Sequence, residues 1–280
     1  MLVTMKEILE KAKDGGYAVA APNIDNEHNA RVAIQAAEEM NSPIILGVPY
    51  HVNPDLQMLG RILGDLAYRS KIPIAINLDH GKTFEQCIAG IQAGFTSIMV
   101  DRSQLPYADN VREVKELVKI AHAVGVSVEA ELGFVGSAYN YDIDGYNGLT
   151  VPEEAVKFVE ETGVDCLAVA VGTAHGTYSG EPYIRFELLE ELAEKVPIPL
   201  VLHGGSGTGA ENLSKCATTG IQKVNLSAEL KHGMVDELRR TNLEEHRIYG
   251  IYNYLGKGYK EQLIESIKNL GSKGKAEIGY

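Results

Sequence analysis

Short runs of apolar and β-branched residues recur along the chain, and each is followed by a stretch with the 3.6-residue period of a helix. The runs are near-continuous rather than alternating, which is typical of strands buried on both faces of a parallel sheet. The pattern predicts eight strand–helix units. The runs are YAVAAPN (17–23), PIILGV (43–48), IPIAINLD (72–79), FTSIMVD (95–101), VSVEAE (126–131), DCLAVAVG (165–172), PIPLVLH (197–203) and IQKVN (221–225).

Two of the intervening segments show how the predicted helices begin and end. Residues 109–125 carry an apolar stripe, which we predict to begin after an Asp109 N-cap and to stop at Gly125. The segment 152–163 opens with Pro152 and two glutamates and stops at Gly163, as expected from helix-end preferences.

Eight strand–helix units in about 250 residues predict a (β/α)8 TIM barrel, an α/β fold. A doubly wound open sheet is the competing architecture, but no G-x-G-x-x-G fingerprint follows the first strand. The helical patterns at the two ends add an extra N-terminal helix and a C-terminal helical extension. No Pro-, Gly- or Ser-rich linker divides the sequence, which predicts a single domain over residues 1–280.

Composition narrows the class of protein. The chain has 280 residues, 45% of them apolar, and no apolar run approaches the roughly 20 residues of a membrane span. The formal charge of −12 argues against a nucleic-acid or anionic-membrane partner. The start, MLVTMKEILEKAKDGG, has the pattern of an amphipathic helix rather than a signal peptide. Three scattered cysteines fit a reducing compartment, so we expect a cytoplasmic protein.

Polar side chains follow the predicted strands, at the barrel end where the chemistry of this fold lies. Alone, each histidine there is best interpreted as a structural residue, and Asp79 beside His80 is either a helix start or half of an active site. Three histidines meeting at one rim instead favour a zinc-type site with an open position. The strand-end residues are Asn23, Asp79, His80, Asp101, Glu131, His175, His203 and Asn225.

Glycines surround two of these histidines. GTAHGTY and HGGSGTG place backbone N–H groups beside His175 and His203, and the second leads into a helix predicted near Ala210. KVNLSAEL follows the eighth strand, with Ser227 as the cap of the next helix. Exposed amides and helix N-termini bind phosphate, whereas glycines confined to structural turns are the alternative.

The stretches LDHG, MVDRSQLPYADN, VEAELG, TGVDCLAVAVGTAHG, PLVLHGGSG and KVNLSAEL together resemble the class II, zinc-dependent fructose- and tagatose-bisphosphate aldolases, in that family's order. The resemblance implies that His80, His175 and His203 bind Zn²⁺ and that Asp79 exchanges a proton with the C4 hydroxyl of the substrate. It implies that Asp101 and Glu131 hold a second or resting metal. The implied substrate contacts are Asn23, Gly176, Gly204, Gly205, Ser206, Asn225, Leu226, Ser227 and Ala228.

The same resemblance implies a metal-dependent aldolase that reversibly cleaves a ketose phosphate into dihydroxyacetone phosphate and an aldehyde. It allows a second divalent metal and a monovalent cation, and it implies a homodimer or homotetramer with a phosphorylated sugar as its small-molecule partner.

Several positions depart from the family pattern. At the positions where the family has acidic residues after ELG, this chain has Ala138 and Tyr139. The acid that carries a proton to the enediolate carbon in the family would then be replaced by Asp142, Asp144 or Tyr139. The alternative is that these residues only keep the loop solvated. Other departures lie where the two phosphates of a bisphosphate would be held, so the sequence does not decide which ketose phosphate is the substrate. They are Ala228 and Ser179 near the first phosphate, Tyr50 and His51 after the second strand, and Lys257 in place of a distal arginine.

Three alternatives to this function remain open on sequence alone. The first is an aldolase of the same mechanism that accepts another aldehyde or a non-phosphorylated ketose. The second is an aldolase that uses Schiff-base chemistry on Lys223 in the eighth strand. The third alternative is a non-catalytic aldolase-like subunit.

Overall fold

A computed structural model of the protein describes residues 1–53, 55–136, 148–176, 178, 182–242 and 249–277. Eight strands form one parallel sheet whose order follows the chain around a ring. The strands are β1 (Val19–Pro22), β2 (Ile44–Pro49), β3 (Ile74–Gly81), β4 (Ser97–Val100), β5 (Ser127–Leu132), β6 (Cys166–Val169), β7 (Leu200–Leu202) and β8 (Ile221–Leu226).

The ring of strands closes between β1 and β2. β1 pairs with β8 along its whole length, whereas β1 and β2 meet at a single parallel bridge between Asn23 and Gly47. The backbone N–H of Ile24 donates to the Gly47 carbonyl at 2.7 Å, which completes the join. The protein is therefore a nearly closed (β/α)8 TIM barrel, as the hydrophobic pattern predicts.

A helix follows each strand and packs on the outside of the barrel, and two further helices lie at the ends of the chain. The predicted N-terminal helix and C-terminal extension, α1 and α10, are thereby confirmed. The helices are α1 (Met5–Gly15), α2 (Glu27–Glu39), α3 (Leu56–Arg69), α4 (Phe84–Gln92), α5 (Tyr107–Ala123), α6 (Pro152–Thr162), α7 (Phe186–Lys195), α8 (Ala210–Thr219), α9 (Ala228–Arg240) and α10 (Ile251–Asn269).

Two apolar layers hold the barrel together. Outward-facing residues of the strands pack against the surrounding helices in one large core. A second, smaller core lies inside the barrel, where Met5, Ile8 and Leu9 of α1 pack against inward-facing residues such as Met99 and Val201. Because α1 covers the amino end of the barrel, the carboxyl end is the one left for a binding site.

Helix ends match the sequence patterns with two corrections. α6 begins at Pro152 and ends before Gly163, whose φ of 73° is the left-handed conformation that favours glycine. α5 begins two residues before the predicted Asp109 cap, because Pro106 takes the N-cap position and Asp109 lies in the first turn. Ser227 holds the N-cap position of α9, but its side chain makes no capping hydrogen bond.

Among the described residues, no helix is long and apolar enough to cross a membrane. Cys87, Cys166 and Cys216 are all buried free thiols. The extent of the single domain, residues 1–280, stays a prediction.

Candidate active site

A cleft of about 640 Å³ opens at the carboxyl end of the barrel. Its size is typical of a small-molecule site. Most of the predicted site residues line it, together with several that the sequence did not single out. Its described lining includes the predicted residues Asn23, Asp79, His80, Asp101, Glu131, His175, Gly176, Gly204, Ser206, Asn225, Ser227 and Ala228, together with Pro49, Tyr50, His51, Lys82, Gln86, Gln104, Phe134, Val135 and Gly136.

His80 reaches the cleft from an irregular strand end. Its φ of 52° is left-handed, a conformation that costs a non-glycine residue about 1–3 kcal/mol. The pairing of β3 with β4 shifts register between Leu78 and Gly81, so His80 lies in a bulge. Gly81 is required beside it, because a Cβ there would lie 2.8 Å from the Met99 carbonyl oxygen. The bulge turns the imidazole toward the cleft.

Three imidazole rings converge beside the cleft: His80 and His175 line it, and His203 is fully buried next to them. His80 Nε2 lies 3.2 Å from His175 Nε2, and His175 Nε2 lies 3.4 Å from His203 Nδ1. An ion bound tetrahedrally by nitrogen at about 2.0–2.1 Å separates its ligand atoms by about 3.3–3.4 Å. These two distances therefore match the spacing of a zinc site, and the ligand atoms of all three histidines lie within 4.8 Å of one another.

Each histidine is fixed through its other ring nitrogen. His80 Nδ1 donates to Asp101 Oδ2 at 2.8 Å, and His175 Nδ1 donates to the Val135 carbonyl at 3.2 Å. His203 Nε2 donates to Glu129 Oε1 at 2.8 Å. With an oxygen acceptor on one nitrogen of each ring, the neutral form of each imidazole keeps its lone pair on the facing nitrogen, which is the usual arrangement of metal-binding histidines.

Glu131 supplies an oxygen beside this cluster. Its Oε1 accepts from the Val135 N–H at 3.0 Å, whereas its buried Oε2 has no hydrogen-bond partner. His80, Asp101 and Glu131 together form a second group whose ligand atoms lie within 4.8 Å of one another. A buried carboxylate oxygen without a partner fits a position that a cation would satisfy.

The charges of the cluster depend on one another. Burial lowers the pKa of His80, but the carboxylates of Asp79 and Asp101 outweigh it and raise the pKa to about 9. Burial and the proximity of protonated His80 hold the pKa of His203 well below its usual value. Burial and the neighbouring Asp101 charge raise the pKa of Glu131 to about 7. The protonation state of each residue in the cluster therefore depends on the charges of the others.

Asp79 is buried against the histidines and is held by Asn225. The Asn225 Nδ2 donates to Asp79 Oδ1 at 2.9 Å. Burial raises the pKa of Asp79, but the positive charge of His80 and the proximity of Lys223 leave it below the ordinary value. Asp79 is therefore an ionised carboxylate facing the cleft. The Asn225 Oδ1 is buried without a partner, which leaves an acceptor for a substrate hydroxyl.

The glycine-rich loops form a second part of the cleft. Gly204 has a left-handed φ of 67°, and a Cβ there would lie 2.3 Å from the Ala174 carbonyl oxygen. The Ser227 N–H donates to Ser206 Oγ at 2.9 Å, which ties the β7 and β8 ends together. Because α9 begins at Ala228, its N-terminal amides face the same space.

A buried ion pair lies directly beneath the histidines. Lys223 Nζ donates to Glu129 Oε2 at 2.6 Å, and both side chains are fully buried. The carboxylate of Glu129 therefore joins Lys223 to His203. The sequence analysis did not single out Glu129, although strand alternation places it on the same inward face as Glu131.

Some predicted site residues do not reach the cleft. His203, which is fully buried, and Gly205 lie outside the described lining, and the side chain of Leu226 packs in the outer core. Lys257 donates to Glu237 at 2.6 Å and does not line the described cleft, so the expectation that it replaces a distal arginine is not supported. The loop candidates Ala138, Tyr139, Asp142 and Asp144, together with Ser179, lie outside the described residues.

Comparisons with known proteins agree with this geometry. The family model described as "Fructose-bisphosphate aldolase class-II" matches residues 3–275. The fructose-bisphosphate aldolase of Geobacillus stearothermophilus is 39% identical over 98% of this chain and 99% of its own length. A probable fructose-bisphosphate aldolase of Bacillus subtilis is 38% identical with the same coverage. The crystal structure of the YdjI aldolase from Escherichia coli K12 superposes with a TM-score of 0.89 at 32% identity, covering 99% of this chain and all of that one.

The fold, the histidine cluster and these matches define an aldolase, a lyase that breaks or makes a carbon–carbon bond. The chain belongs to the class-II fructose-bisphosphate aldolase family, which is zinc-dependent in general.

Proposed function

We propose that this protein reversibly cleaves a ketose phosphate, of the fructose- or tagatose-bisphosphate type, into dihydroxyacetone phosphate and an aldehyde. The observation that carries the proposal is the convergence of three imidazole nitrogens, each with its second nitrogen bound to an oxygen acceptor. The names of the relatives, which are fructose-bisphosphate aldolases, support the substrate class.

In this proposal His80, His175 and His203 would hold Zn²⁺, which when bound would supply Lewis-acid polarisation of the C2 carbonyl of the ketose. Asp79 removes the proton from the C4 hydroxyl in cleavage and returns it in condensation. Asn225 keeps the Asp79 carboxylate oriented through its 2.9 Å hydrogen bond. Asp101 and Glu131 are proposed to accept a second or resting divalent metal, because the free Glu131 Oε2 lies beside His80.

The phosphate of the dihydroxyacetone half is proposed to bind the backbone N–H groups of Gly176, Gly204 and the start of α9, with Ser206 and Ser227 beside them. Asn23, across the β1 rim, completes the ketose contacts. The Leu226 carbonyl already accepts from the Asn23 N–H at 2.9 Å, so Leu226 serves this site by placing Asn23.

Metal removal tests the proposal directly. Dialysis against a chelator should abolish cleavage of fructose 1,6-bisphosphate, and one equivalent of Zn²⁺ per chain should restore it. Borohydride trapping of substrate on Lys223 would instead establish the Schiff-base mechanism. Stoichiometric zinc without cleavage of any phosphorylated ketose would identify a non-catalytic subunit.

Lys82 is expected to select a charged aldehyde. Among the described lining residues it is the one lysine or arginine, and it follows β3, whereas the glycine loops follow β6 and β7. Lys82→Ala should lower kcat/KM for condensation with glyceraldehyde 3-phosphate about 5-fold, because a solvated charge pair at about 4 Å contributes on the order of 1 kcal/mol.

Uncharged glyceraldehyde is the matched control for Lys82→Ala, and its kcat/KM should not change. An equal loss of kcat/KM with both aldehydes would show that Lys82 shapes the cleft but does not recognise the charge of the aldehyde. The same assay, run with dihydroxyacetone phosphate and with dihydroxyacetone, decides whether the donor must carry a phosphate.

The assembly and location of the enzyme are also proposals. We propose a cytoplasmic homodimer or homotetramer. The buried free thiols of Cys87, Cys166 and Cys216 support a reducing compartment. Exposed Tyr249 and Tyr252 at the start of α10 are the proposed contacts between subunits. Sedimentation velocity of the protein and of a Tyr249→Ser/Tyr252→Ser variant tests this assembly.

A further inference from the structure

The β3 bulge that aims His80 must be held by its surroundings, because a strained backbone persists only where neighbouring contacts impose it. The Gly81 carbonyl, one residue after His80, is where these contacts converge. It accepts from the Asp101 N–H at 3.2 Å and from Arg102 Nη1 at 2.9 Å. The Cys87 thiol lies 3.6 Å from the same oxygen.

Arg102 ties two strand ends together. The same Nη1 donates to the Asp101 carbonyl at 2.9 Å as well as to Gly81. Its Nε donates to Glu113 Oε2 on α5 at 2.6 Å, and the side chain is only 5% exposed. A buried guanidinium therefore links the end of β3, the residue after β4 and the helix α5.

The two backbone carbonyls that Arg102 contacts flank one catalytic hydrogen bond. Gly81 follows His80, and Asp101 is the residue whose Oδ2 accepts from His80 Nδ1 at 2.8 Å. The other Asp101 oxygen is already fixed, because Ser103 Oγ donates to Oδ1 at 2.8 Å. Loss of Arg102 would let the two backbone segments separate, and the His80 imidazole would lose its fixed orientation.

We propose that Arg102 is a positioning residue that holds His80 and Asp101 in register for metal binding. The inference rests on the proposed metal site, although Arg102 itself is not a proposed ligand of the metal or the substrate. The planar guanidinium reaches both carbonyls and the Glu113 carboxylate at once, which the single ammonium of lysine cannot do.

The test compares three variants by Co²⁺ binding, with Zn²⁺ competition for affinity. Arg102→Met removes every donor, Arg102→Lys keeps the charge and some donors, and Glu113→Gln breaks the ion pair while leaving both carbonyl contacts. Loss of an outer partner of a metal ligand typically weakens metal affinity 10–100-fold. We expect that loss in Arg102→Met, an intermediate loss in Arg102→Lys, and wild-type affinity in Glu113→Gln.

A second readout needs no metal. In protein labelled with ¹⁵N-histidine, the His80 Nδ1–H resonance should shift and exchange faster with water in Arg102→Met and should stay in place in Glu113→Gln. Failure of the wild type to bind Co²⁺ would contradict the proposed function, and this resonance would still test Arg102.

Wild-type metal affinity in Arg102→Met overturns the inference. If Arg102→Met does not fold, wild-type affinity in Arg102→Lys overturns it. A loss in Glu113→Gln as large as in the arginine variants also overturns it, since Arg102 would then act only as half of a structural ion pair.

Discussion

Asp79→Asn should lower kcat for ketose cleavage by about 10²–10⁴-fold, the range that a positioned general base contributes. The amide has the shape of the carboxylate, and its oxygen can still accept from Asn225 Nδ2, so the fold of the site should persist. What is lost is the ionised group that takes the proton from the C4 hydroxyl. Steady-state cleavage of fructose 1,6-bisphosphate measures the effect.

Two controls separate this role from metal binding. Zinc content of Asp79→Asn should equal that of the wild type, because Asp79 is not one of the three proposed ligands. Exchange of the carbon-bound hydrogen of dihydroxyacetone phosphate with D₂O should continue, since that step does not involve the C4 hydroxyl. Near-wild-type kcat, or loss of zinc, would remove Asp79 from its proposed role.

Lys223→Met should reduce the free energy of unfolding by about 3–5 kcal/mol, the usual cost of removing one partner of a buried ion pair. Lys223 and Glu129 are fully buried, and Lys223 Nζ lies 2.6 Å from Glu129 Oε2. Without the lysine, the Glu129 carboxylate keeps only its hydrogen bond from His203 and must either stay charged in a dry interior or take up a proton. Urea unfolding of the zinc-free protein measures the loss.

The matched control is the double variant Glu129→Gln/Lys223→Met. It removes both charges, and the glutamine oxygen still accepts from His203 Nε2, so most of the lost stability should return. An equally unstable double variant would mean that packing, and not charge pairing, sets the effect. Cleavage by the double variant would also exclude the Schiff-base alternative, which requires Lys223.

Much of the architecture could be predicted from local pattern, because strand burial and helix period are properties of short segments. His80, His175 and His203 could be predicted as one cluster only after the barrel fold placed their strand ends at a common rim. The prediction that Asp109 caps α5 was wrong, because Pro106, with its fixed φ, starts the helix earlier than side-chain capping preference suggests.

Arg102 and Glu129 show what sequence alone does not contain. Arg102 contacts the Gly81 carbonyl 21 residues away, and Glu129 contacts His203 and Lys223, 74 and 94 residues away, and no local spacing encodes these contacts. Glu129 was at least detectable by its alternation with Glu131. For Arg102 the sequence offers no comparable signal, since a strand-end arginine is most often a solvated charge.

The helix α1 acts on the site from the opposite end of the barrel. Met5, Ile8 and Leu9 close the amino end, so bulk water does not reach the Lys223–Glu129 pair from below. The resulting low dielectric strengthens the hydrogen bond that His203 donates to Glu129. α1 thus keeps solvent away from the interior beneath the proposed metal site, and substitutions that loosen it should weaken zinc binding without altering any residue near the cleft.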